Sequence, residues 1–299
     1  AGAGIGFGYV SPIATCVKWF PHHRGIITGV AVAGFGAGAL VFAPWATRTI
    51  AALGLSRFFL IYGTIAAVVL AGGGLMLRNP GPSPTATVAG DPSEATRATT
   101  WSDMLRSSAF WRLWIMFAFA STAGLMAITQ LRPFATLQGL SAADGAWAVS
   151  ILSIFNAGGR VAWGAISDHL GRYRTMAVMF ALQAAMLTVL ALNTVPGTPY
   201  FWLAAAWIGF HYGGAFALFP AATADAFGAR NLGTSYGLVF TAYGVAGILG
   251  PVVGARVFDA TGQYAYAVVF AGALCVVATA MAWLAAPRHP SVHEVTARA

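Results

Sequence analysis

The sequence predicts an all-α membrane protein, and three observations predict it. Of its 299 residues, 58% are hydrophobic and only 8% charged, with a mean hydropathy of +0.73. A soluble chain of this length needs far more charge to cover its surface. Apolar runs of about 20 residues, each long enough to cross the hydrocarbon core as a helix, recur from end to end. The chain also repeats itself: residue i set against i+208 aligns "GFGYVSPIATCVKWFPHHRGIITG" with "GAFALFPAATADAFGARNLGTSYG" without a gap.

The apolar runs place nine spans at about 1–17, 25–49, 57–77, 109–131, 145–167, 174–193, 199–221, 233–255 and 264–286. The first has no Met and no charge before Lys18, whereas a signal peptide opens on a positive segment. The chain is therefore expected to begin inside a membrane helix. Gly2/Gly6, Gly4/Gly8, Gly25/Gly29 and Gly34/Gly38 are small-xxx-small pairs that let helices pack closely. Neither "GAGIGFG" nor "GFGAG" has the strand-loop-helix setting of a phosphate loop. Pro44 and Pro251, near matching span ends, are expected to bend their helices.

After the third span comes "RNPGPSPTATVAGDPSEATRATTWSDMLRSS", too rich in Pro, Gly, Ser and Thr to pack, and read as a linker. Its end sets Trp101, Met104 and Leu105 at helical spacing, as in a short helix lying in the interface. The organisation is then three helices over 1–77, a cytoplasmic linker over 78–108, six helices over 109–286 and a cytoplasmic tail over 287–299.

Of the 16 Lys and Arg residues, all but Arg160 divide unevenly between the two sets of loops. Eleven fall on the side that includes Lys18, Arg24, Arg172 and the C-terminus, and four (Arg48, Arg57, Arg132, Arg256) on the other. The positive-inside rule puts the richer side in the cytoplasm. The same pattern accounts for the net charge of +8 without nucleic acid as a partner. Cys16 and Cys275 lie far apart in apolar segments, and the six His lack metal-ligand spacing. No disulfide, metal or cofactor is expected, and the spans offer no nucleophile–base pair for an enzyme.

The repeat carries identities at Gly6/Gly214, Pro12/Pro220, Ala14/Ala222, Thr15/Thr223, Gly25/Gly233, Gly29/Gly237 and Gly36/Gly244, with aromatic matches at Trp19/Phe227 and Phe35/Tyr243. Shared Gly/Ala composition is the alternative, but parallel halves of a transporter give this pattern. The register puts three spans before residue 1, making twelve in all. The chain is then a truncated copy, expected not to transport by itself.

"GAISDHLGRYRT" (164–175) resembles the loop signature of the major facilitator superfamily. "YVSPIATCVKWFPHHRGIITGVAVAGFGAGAL" (9–40) and "ALFPAATADAFGARNLGTSYGLVFTAYGVAGILGP" (217–251) are similar to its oxalate/formate antiporter branch. The resemblance implies the major facilitator fold, with about nine of twelve transmembrane helices present here. It further implies a central cavity between two halves that rock to open it to either side.

Arg160 is the charge that this frame must explain. No other charged residue stands between Gly145 and Ser167, and the spans contain no Asp or Glu. An Arg at mid-membrane costs roughly 2.5–3.5 kcal/mol on insertion scales, so it faces a cavity or a partner. Its guanidinium forks onto a carboxylate through two hydrogen bonds, and a small organic anion is the counter-ion the chain leaves open. Snorkelling toward Asp168 is the competing account. The resemblance favours the anion, because family members carry a substrate-binding Arg at this place.

It also implies cavity roles for Tyr9 and Tyr212, and for Phe240 as a cavity aromatic. Tyr243 stands where the oxalate exchanger's relatives have Lys, a departure that puts oxalate itself in doubt. His211 is a further candidate, for substrate or for a proton, against packing as a neutral side chain. For gating, Gly164, Asp168, Gly171 and Arg172 form the loop motif. Gly171 supplies a positive-φ turn, and Asp168 is expected to bind Arg172 or a neighbouring helix N-terminus. Arg24 lies in a similar turn.

These residues point to a monomeric secondary transporter of small organic anions such as oxalate, formate, lactate or pyruvate. It would lie in the lipid bilayer of the inner membrane and work by exchange, with protons as the other coupling ion to consider. A proton-coupled exporter of other small molecules and a non-transporting sensor or scaffold are the alternatives.

Overall fold

The computed structural model describes residues 2–80, 100–137, 139–192 and 197–286. Most of the linker assigned to 78–108, and the tail assigned to 287–299, lie outside the described residues. Within them the chain forms ten helices: α1 (Gly2–Trp19), α2 (Arg24–Leu53), α3 (Leu55–Met76), α4 (Trp101–Arg106), α5 (Ser108–Leu137), α6 (Ala142–Leu170), α7 (Arg172–Leu192), α8 (Thr198–Phe227), α9 (Leu232–Thr261) and α10 (Tyr264–Ala285).

Eight of these are long and apolar enough to cross a membrane. The exception among the nine expected spans is α1, whose 18 residues include glycines, Ser11, Pro12 and Lys18. The ninth expected span, over 1–17, is present as the helix α1. Several helices overrun the spans read from hydropathy: α2 continues to Leu53, α5 to Leu137 and α9 to Thr261. Hydropathy sees only the part that sits in hydrocarbon, whereas helical hydrogen bonding continues into polar terminal turns. Asp144, Asp168, Asp225 and Asp259 stand in the end turns of helices, just outside the spans read from hydropathy.

Local chemistry fixes these ends. Ser141 and Asp144 form a capping box on α6, and Thr100 and Asp103 another on α4. Single glycines at φ 80° (Gly54) and φ 82° (Gly171) turn α2 into α3 and α6 into α7. On α4, Met104 is buried while Trp101 and Leu105 are exposed.

The repeat is visible in the helix boundaries. At the offset of 208, α2 maps residue for residue onto α9, both 30 residues long. The ends of α1 and α8 coincide at the same offset, Pro12 and Pro220 lie inside them, and Gly54 and Gly262 cap both second helices at positive φ.

Helix α6 packs against α2 on one side and α8 on the other, and glycine makes both contacts close. A Cβ on Gly25 or Gly164 would strike the other's carbonyl oxygen, and one on Gly29 would strike the Arg160 carbonyl. On the second seam, Gly159 lies on Phe210, Gly209 on Leu152 and Gly213 on Asn156, each against backbone. The close packing expected of Gly34/Gly38 is not made: a Cβ on either would meet nothing within 4 Å. Gly25 and Gly29 lie on the face of α2 that meets α6, whereas Gly34 and Gly38 meet no described residue at that distance. Of α3, only Phe58 is buried, and Leu60, Val68 and Leu75 are exposed, as on a lipid-facing helix.

Candidate functional site

Arg160 lies midway along α6, eight residues or about 12 Å from Asp168, and is 5% exposed. Its Nε donates to Asn156 Oδ1 at 3.0 Å and its Nη1 to the Val32 carbonyl of α2 at 3.0 Å. The guanidinium carbon sits 4.6 Å from the ring centre of Phe216 on α8, a cation–π contact worth about 2 kcal/mol when desolvated. Among the described residues it has no salt-bridge partner. Every contact is neutral, so the cradle softens the desolvation cost without cancelling the charge.

Aromatic rings from four other helices surround this point. Tyr9 of α1 stacks on Phe240 of α9 at 5.0 Å and meets Phe35 of α2 edge-on at 5.1 Å. Phe216 lies 5.2 Å from both Tyr212 and Tyr243, and Phe240 lies 5.2 Å from Tyr243. The Tyr212 hydroxyl donates to that of Tyr243 at 3.2 Å. Arg160, Tyr9, Tyr212, Phe240 and Tyr243 are thus brought together where α1 and α2 meet α6, α8 and α9. The cluster also includes residues that the sequence reading missed, namely Asn156, Phe216, Phe35 and the Val32 carbonyl.

His211 stands apart from this cluster. Its Nδ1 lies 2.8 Å from the Trp207 carbonyl, and its ring packs on Trp207, Trp163 and Phe210. Its Nε2 and the Gln183 amide are buried without a hydrogen-bond partner and line a separate small pocket with Cys275 and Tyr212. The placement follows from helix geometry. His211 and Tyr212 are consecutive, and consecutive helical residues point about 100° apart.

At the end of α6 a second constellation joins four helices. Asp168, its side chain 7% exposed, binds Arg172 Nη1 at 2.6 Å. Its two oxygens also accept from the backbone N–H groups of Gly25 and Ile26, each at 2.9 Å. Helix α2 has no side-chain cap of its own, so a carboxylate from α6 satisfies its free N–H groups and its positive end. Asp168 therefore makes both of the contacts considered for it. Asp225 of α8, not singled out by the sequence reading, bridges Arg24 at 2.8 Å and Arg172 at 2.9 Å. Gly164 lies in the α2–α6 seam just below.

Comparison with known proteins agrees with this architecture. The family model described as Major Facilitator Superfamily matches residues 1–251 and 139–299. The chain belongs to the major facilitator superfamily, a group of membrane transporters rather than enzymes. It is 32% identical over 259 residues to the oxalate:formate antiporter of Oxalobacter formigenes, covering 86% of this chain and 61% of that protein. It is 26% identical over 298 residues to apicoplast pyruvate carrier 1 of Toxoplasma gondii, covering 80% of this chain and 54% of that one. A crystal structure of the E. coli fucose:proton symporter superposes with a TM-score of 0.51 at 16% identity, over 96% of this chain and 90% of that one. That last likeness bears on the fold alone.

Proposed function

We propose that this chain carries the substrate site of a secondary transporter that exchanges small organic anions by alternating access. The observation that carries the reading is the uncompensated charge of Arg160, held by neutral groups at the meeting of α2, α6 and α8. Tyr9, Tyr212, Phe240 and Tyr243 wall the site, with the Tyr212–Tyr243 hydroxyl pair offering a second polar contact to the anion. His211 lies outside this set and acts at most through Tyr212, with which it shares a pocket. One guanidinium and two phenols suit a monocarboxylate such as formate, lactate or pyruvate better than oxalate, which two cations would hold more tightly.

Residues 1–77 are then the end of a first six-helix half, 78–108 the linker and 109–286 the second half. The Asp168–Arg172–Asp225–Arg24 network latches the halves on the cytoplasmic side. The protein is a monomer of the inner membrane with its C-terminus in the cytoplasm. Exchange is preferred over proton coupling, since the described residues place no carboxylate beside Arg160.

Counterflow in proteoliposomes tests this on the full-length protein, loaded in turn with formate, oxalate, lactate and pyruvate. Saturable exchange of at least one acid, and none of a cationic amine, is expected; exchange of the amine and no acid contradicts the reading. In the same assay Tyr243→Lys is expected to shift preference toward oxalate over formate by about tenfold or more, one added charge-assisted hydrogen bond being worth roughly 1.5–3 kcal/mol. An unchanged ratio would place Tyr243 away from the substrate.

A further inference from the structure

Asn156 lies one turn before Arg160 on the same face of α6 and is itself 5% exposed. Its oxygen accepts from Nε at 3.0 Å, and because guanidinium nitrogens only donate, the orientation of the amide is fixed. Two other helices hold it there. A Cβ on Gly36 of α2 would come within 2.6 Å of Asn156 Oδ1, and Gly213 of α8 lies against its backbone.

The chemistry of this position is specific. A buried arginine usually finds a carboxylate, which holds the fork and neutralises it together. Asn156 has the same shape and offers the same acceptor oxygen but no charge. It also occupies Nε, one member of the side edge through which Arg binds a carboxylate in two bonds. With Nη1 on the Val32 carbonyl, three of the five N–H donors, one on Nη1 and two on Nη2, are left for a ligand.

We propose that Asn156 is a positioning residue of the anion site. Its neutral amide fixes the Arg160 fork through Nε, preserves the full positive charge for the ligand, and directs a carboxylate to the remaining Nη1 and Nη2 donors. The proposal rests on the reading of Arg160 as the anion-binding group, and the test separates the two.

Half-saturation for labelled formate, oxalate and pyruvate is measured by counterflow on the full-length protein with Asn156→Asp, Asn156→Ala and Arg160→Gln. Asn156→Ala removes one acceptor and is expected to raise half-saturation up to about tenfold, with maximal rate retained. Asn156→Asp keeps the shape but adds a counter-ion, and is expected to raise it by more than about 30-fold, since close charge pairs couple strongly. A purely structural role for Asn156 predicts the reverse order, because Asp is the closer replacement. If Asp is as good as Ala or better while Arg160→Gln abolishes exchange, the role of Asn156 is refuted and that of Arg160 stands. If Arg160→Gln leaves exchange intact, both fall together. Should Asn156→Asp not fold, Asn156→Ala decides: unchanged half-saturation overturns the proposal, and a raised one at unchanged rate supports it.

Discussion

Replacing Gly29 with leucine is expected to abolish the assembled protein, with a loss of monodisperse material after extraction and no exchange in whatever is recovered. A Cβ at Gly29 would lie 2.7 Å from the Arg160 carbonyl carbon and 3.0 Å from Val161 Cα. The obstruction is helix backbone, which cannot rotate aside as a side chain can. Overpacking a tight core costs typically 1–3 kcal/mol, occasionally more, and here the seam must open along its length. The damage also reaches the site, because Val32, whose carbonyl receives Arg160 Nη1, is three residues further along the same helix. Gly34→Ala is the control. Its Cβ meets nothing, so it should be neutral or stabilising by up to about 1 kcal/mol through helix propensity. Thermal unfolding in detergent of both variants checks the pair, and equal behaviour would mean that the α2–α6 seam does not depend on the close approach at Gly29.

Asp168→Asn is expected to loosen the proposed latch far more than Asp225→Asn. Asp168 is nearly buried and answers three donors: Arg172 and the Gly25 and Ile26 N–H groups. Breaking such a buried pair costs about 3–5 kcal/mol, enough to shift a two-state equilibrium by roughly a hundredfold to a few thousandfold. The Asp225 side chain is 41% exposed, and solvent-exposed pairs are worth about 0–1 kcal/mol. Alkylation of single cysteines introduced on the stretch between α8 and α9, beside the network, reads the difference. Labelling should accelerate strongly in Asp168→Asn and little in Asp225→Asn, and equal acceleration would move the latch from the helix N-terminus to the surface ion pairs.

Much of this architecture was legible because a membrane helix announces itself in hydropathy and a glycine turn in a single residue. Arg160 stood out by its cost, Gly171 by its place in the loop motif, and Asp168 by having only a basic neighbour and a helix start within reach. The interhelical partners were hidden for a physical reason: spacing along one helix says which residues share a face, not what lies across from it. Asp225 and the Val32 carbonyl are 57 and 128 residues from Asp168 and Arg160 respectively, and only the folded bundle brings them together. Asn156 and the Gly209/Gly213 pair were readable, since an i, i+4 neighbour and a small-xxx-small spacing are sequence facts. His211 was named for its adjacency to Tyr212, and what sequence does not show is that helical rotation turns it away from Arg160 toward a small pocket that it shares with Tyr212.

The most direct measurement is equilibrium binding of the acid identified by counterflow to purified full-length protein carrying Arg160, Arg160→Lys or Arg160→Gln. Lysine keeps the charge but not the fork, so binding should weaken with Lys and vanish with Gln. If Arg160→Gln binds the anion as tightly as the parent protein, the buried arginine is structural, and the substrate site lies elsewhere.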